Sequence, residues 1–102
     1  MLIVPFGDFV NQIPPIGFLA IHVALFAIGS FFAWRSFGAG ASTLGAAFSL
    51  FALAELVYMT YHLDWTTFLF AHTVSEVLNV IAFGLVFVAA SRSILSPAAA
   101  RA

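Results

Sequence analysis

The sequence predicts an all-α integral membrane fold, a bundle of three transmembrane helices in which helices 2 and 3 form an antiparallel hairpin. Composition is the first observation. Of the 102 residues, 64% are hydrophobic and 7% are charged, and mean hydropathy is +1.14. A soluble domain has charges at about a quarter of its positions. The second observation is that the apolar residues fall into three runs, each near the roughly 20 residues needed to cross a hydrocarbon core as a helix. The third is that prolines, glycines and polar residues are gathered between and outside those runs.

The first 15 residues, MLIVPFGDFVNQIPP, interleave Leu2, Ile3, Val4, Phe6, Phe9 and Val10 with Asp8, Asn11 and Gln12. That mixture suits a short segment lying in the membrane interface. It has no basic start and no small-residue cleavage pattern, so a removable signal peptide is not expected. Helix 1 is expected over 16–37, with Pro14 and Pro15 at its start, where a missing N–H is tolerated.

The segment Gly38-Ala39-Gly40-Ala41 reads as a tight loop, with Ser42 as the cap of helix 2. Helix 2 is expected over 42–62. The turn Asp64-Trp65-Thr66 follows, with Asp64 or Thr66 available to cap helix 3 and Trp65 suited to the interface. Helix 3 is expected over 67–91. Residues 92–102, with Pro97 as a stop, form a short tail.

Arg35, Arg92 and Arg101 are the only cations outside histidine, and all fall on one side of this scheme. Asp8 and Asp64 fall on the other. The positive-inside rule then expects the C-terminus in the cytoplasm and the N-terminus outside, in a bacterial or archaeal plasma membrane. Without lysine and with a net charge of -1, the chain has no basic patch to neutralise phosphates, which excludes nucleic acid as a partner. Having no cysteine, it has neither disulfides nor thiolate metal sites.

Five ionisable residues interrupt the apolar runs: His22, Glu55, His62, His72 and Glu76. Such groups are costly at membrane depth and default to function. Glu55 and His62, seven apart, return to one helix face, flanked by Tyr58 and Met59. His72, Glu76 and Asn79 make a second stripe, with Ser75 beside it. At the helical rise, Glu55 and Glu76 lie about 12 to 18 Å along their helices from the Asp64 turn, and His22 about 10 Å past Pro15. All five are therefore expected in the outer half of the membrane.

Imidazole and carboxylate together match a transition metal, Zn, Cu or Fe, better than Mg or Ca. His22, His72 and Glu76 are the expected ligands, with Glu55 and His62 as further ligands or supports. A haem with His22 and His72 as axial ligands is the variant. The plainer expectation is that these groups hydrogen-bond one another and hold the helices together. A proton or ion relay is the remaining one, opposed by the apolar inner half around Phe48, Leu50, Phe83 and Val86. Tyr58 and Tyr61 are expected to pack or to mark the interface. Gly29 and Ala33, on the face of His22, are a small-x-x-x-small pair that admits a close helix, from this chain or another. Three helices enclose little volume, so a homo-oligomer or a place beside larger membrane subunits is expected.

Overall fold

The computed structural model describes residues 5–95. Leu2, Ile3, Val4, Pro97 and Arg101, and with them the ends of the interfacial segment and of the tail, lie outside the described residues. A short 3-10 helix, Asp8–Gln12, precedes three long helices: α1 (Pro15–Gly38), α2 (Ser42–His62) and α3 (Phe68–Leu95). All three are long and apolar enough to cross a membrane, and no strand occurs among the described residues.

Local chemistry explains the boundaries. Pro14 is extended and Pro15 opens α1, at the one place where the lost donor costs nothing. Ser42 does not cap α2. It is the first residue inside the helix, the cap position is held by Ala41, and no side chain caps the end; the first helical bond runs from the Gly45 N–H to the Ala41 carbonyl. After α2, Asp64 takes a left-handed conformation, φ 63°, which aspartate tolerates better than most residues. Thr66 bonds across this turn to Thr60, Oγ1 to Oγ1, at 2.9 Å. α3 continues a turn past Ser91 and carries Arg92 within it.

α2 is the middle element. It packs against α1 on one side and α3 on the other, and no Cα of α1 comes within 8 Å of α3 among the described residues. The α2–α3 contact is pinned at the Asp64 end by Tyr58 and His72, and at the far end by Arg92, whose Nη1 donates to Thr43 Oγ1 at 3.0 Å. The three helices thus form a layer with an open groove between α1 and α3, floored by α2.

The interior is built of small residues. Ala33, Ala47, Ala52, Ala54, Ala71 and Ala82 are buried, while Phe31, Trp34, Val80, Phe83 and Phe87 are exposed. That inversion is the packing of a membrane protein, in which lipid accommodates large side chains and close backbone approach holds helices together. Two glycines set the α1–α2 spacing. A Cβ at Gly29 would meet the Phe51 ring at 2.8 Å, and one at Gly45 would meet the Phe37 ring at 2.7 Å. Each ring lies over the hole left in the other helix. Gly29 and Ala33 are both buried, so this small-residue pair serves packing within the chain.

Candidate functional site

Helical period places Phe51, Glu55, Tyr58 and His62 on one stripe of α2, since they follow at i, i+4, i+7 and i+11. The α1 stripe Phe18, His22, Gly29 and the α3 stripe His72, Asn79, Phe83 flank it. Side-chain contacts then fix the depth of each stripe against its neighbour.

His22 Nδ1 and Glu55 Oε2 are 2.5 Å apart, tying α1 to α2. Glu55 is 6% exposed and His22 is half-buried, so this pair is closed off within the chain. On the other side of α2, the Ser75 hydroxyl donates to the Ala54 carbonyl at 3.0 Å, with both residues buried. Ala54 adjoins Glu55 and Ser75 adjoins Glu76, so the two glutamates lie in the same layer.

The imidazoles are organised by stacking. Phe18, His62, His22 and Tyr58 form a ladder with successive ring centroids 5.3, 5.1 and 5.0 Å apart. The Tyr58 hydroxyl reaches His72 Nδ1 at 3.4 Å and lies close to the Glu76 carboxyl. His72 in turn stacks on Phe68, centroids 5.2 Å apart. A continuous polar and aromatic belt therefore crosses all three helices at the Asp64 end.

The five expected residues do share one region, but they divide into two sets. His22, Glu55 and His62 belong to the α1–α2 seam. His72 and Glu76 sit on the flank of α3, and both are exposed. Among the described residues, no three His, Asp or Glu side chains are grouped so as to hold a metal ion. Tyr58 is the residue that joins the sets, with its ring on His22 and its hydroxyl at His72. Its position three after Glu55 and four before His62 was the available signal, outweighed by the usual packing role of membrane tyrosines.

Below the belt, the same face changes character. A groove of 240 Å³ is lined by Ile28, Gly29 and Phe32 of α1, Phe48 and Phe51 of α2, and Phe83 of α3, with Asn79 at its border with the belt. No buried side-chain nitrogen or oxygen in the described residues lacks a hydrogen-bond partner. The seam is thus self-sufficient, and the open chemistry lies on the α3 flank. Set against known proteins, the chain matches no family model, no curated protein and no solved structure, so its chemistry is read from its own residues.

Proposed function

We propose that the chain is a small integral membrane subunit of a larger assembly, with helices 2 and 3 as an antiparallel hairpin, the N-terminus outside and the C-terminus in the cytoplasm of a bacterial or archaeal plasma membrane. One observation carries the reading. His72 and Glu76 are exposed on α3, at the depth where Glu55 is buried and paired. An acidic side chain facing lipid near the bilayer centre costs about 3 kcal/mol, and a partner that hydrogen-bonds it removes that cost. In this reading the Glu55–His22 pair and the Ser75 bond join the helices, and the α3 flank meets another chain.

A second reading assigns the belt to a cofactor, a transition metal (Zn, Cu or Fe) or a haem. Its support is the Glu55 contact to one ring nitrogen of His22, since a carboxylate on one imidazole nitrogen orients the other toward a metal. With two donors at most in contact inside the chain, the remaining ligands would come from His72 and Glu76 or from the partner. A proton relay along the belt has less support, because the groove beneath it is apolar.

Gentle purification from the native membrane, with identification of co-purifying chains, metal analysis and an absorption spectrum, tests these readings together. An assembly larger than one chain is expected. Monomeric protein with nothing attached would sink the subunit reading. A stoichiometric metal or a Soret band, lost in His22→Ala, would move the cofactor reading to first place.

A further inference from the structure

We propose that residues 5–14, the segment leading into α1, are a hydrophobic anchor that inserts into the lipid interface at the Asp64 end, with Phe6, Phe9 and Val10 in lipid and Asp8 and Asn11 facing water. This goes beyond the subunit reading and stands whatever the α3 flank meets.

The segment presents apolar side chains that no other part of the chain covers. Phe6 is 101% and Phe9 66% exposed, and Val10 and Ile13 are exposed as well. The Phe6 and Phe9 rings meet edge to face, with centroids 6.3 Å apart. A contiguous apolar patch left open in this way marks a membrane or protein contact. The polar side chains are gathered apart from it. Asp8 and Asn11 are one 3-10 turn apart, and Asn11 Nδ2 donates to Asp8 Oδ1 at 2.8 Å. The backbone closes on itself too, since the N–H groups of Asp8, Val10 and Ile13 bond to the carbonyls of Pro5, Gly7 and Val10. A turn that pairs its own donors enters a layer poor in water at less cost than an open loop.

Position selects lipid as the occupant. Pro15 begins a helix long and apolar enough to span, and Phe9 is joined to it by roughly 15 Å of chain, so the patch cannot leave the neighbourhood of the membrane surface. Ile13 fixes the join. Its Cγ2 lies 2.8 Å from where a Cβ on Gly17 would stand, so it packs into the notch in the first turn of α1. Amphipathic segments whose Phe and Leu side chains enter the head-group boundary are held there by buried apolar area, usually with help from basic residues on the polar face. Here Asp8 is the only charged residue among residues 5–14. Insertion therefore comes from apolar burial and gains nothing from anionic head groups.

The chain has no cysteine, so single nitroxide labels can be placed at Phe9→Cys and at Asn11→Cys in the full chain, held in nanodiscs of phosphatidylcholine. Electron paramagnetic resonance compares the collisions of each label with oxygen, which concentrates in lipid, and with a water-soluble nickel chelate. A third label, at Val10→Cys, is measured with and without Phe6→Ser and Phe9→Ser together.

The oxygen-to-nickel ratio is expected to be about fivefold higher at Phe9→Cys than at Asn11→Cys, as for the two sides of an interfacial segment, and not to rise when phosphatidylglycerol replaces part of the lipid. The Val10→Cys label should pass from lipid to water when both phenylalanines are replaced. Equal ratios at Phe9→Cys and Asn11→Cys overturn the two-sided insertion. A Val10→Cys label unmoved by the paired serine changes overturns the role of the phenylalanines, and a ratio that climbs with phosphatidylglycerol overturns apolar burial as its cause. A Phe9→Cys label open to nickel in nanodiscs yet shielded in native membranes overturns lipid as the occupant and gives the patch to a protein.

Discussion

Two glutamates at one depth meet opposite circumstances on the two sides of α2. Glu55 faces the α1 seam, where His22 takes its carboxyl and the ladder of Phe18, His62, His22 and Tyr58 covers it. Glu76 sits on the α3 flank, exposed, beside an exposed His72. The same residue type in the same layer is thus a closed internal joint in one place and an open surface group in the other. Depth alone does not decide what an intramembrane carboxyl does; the neighbouring helix does.

The contrast breaks most sharply at the seam. His22→Ala leaves the buried Glu55 carboxyl without its partner, and loss of one member of a buried pair costs about 3 kcal/mol or more. Unfolding in mixed detergent should show it, and Glu55→Gln, which still hydrogen-bonds, should lose distinctly less. An equal loss in both variants would make charge, rather than the hydrogen bond, the important feature of the pair.

Next in size is the α1–α2 spacing. Gly29→Leu drives a side chain into the Phe51 ring, 2.8 Å from where its Cβ would stand, an overpacking that costs about 2 kcal/mol. The same assay reads it. Gly84, around which a Cβ would meet nothing within 4 Å, is the control: Gly84→Leu should leave stability unchanged or raise it slightly, through better helix propensity.

A smaller effect is expected on the other side of α2. Ser75→Ala removes the hydroxyl bond to the Ala54 carbonyl while keeping the small volume, and should cost about 0.6 kcal/mol, the average for a polar contact between membrane helices. Smallest of all is the effect of Tyr58→Phe on stability. The ring stays on His22, while the hydroxyl's 3.4 Å contact to His72 and its approach to the Glu76 carboxyl are lost, so the change should appear in the His72 ring resonances by NMR before it appears in unfolding. An unmoved His72 signal would separate the two halves of the belt.

Much of this was legible along the chain. The three spans follow from the length and spacing of the apolar runs, and the start of α1 from Pro14 and Pro15, because both rest on local sterics and on the thickness of a bilayer. Helical period put Glu55 with His62, and His72 with Glu76 and Asn79, on single stripes. Ser42 was misread as a cap because the helix begins one residue earlier than its hydroxyl requires: Ala41 holds the cap position and Ser42 is already the first helical residue. α3 outran its expected end because Arg92 continues the helix and reaches Thr43, a contact made by another helix.

By itself, then, the sequence determined where the three long apolar helices run, how far along them each polar residue lies and which residues share a face, since these depend on a fixed rise and a fixed turn per residue. Only the tertiary structure decided which stripe meets which. Gly29 and Gly45 let α1 settle against α2 alone, which gives His22 to Glu55, leaves α3 without α1, and sets Tyr58 between the two histidines. The rotation of one helix about its neighbour is set by where small side chains allow close approach across the contact, and no count along a single helix contains it.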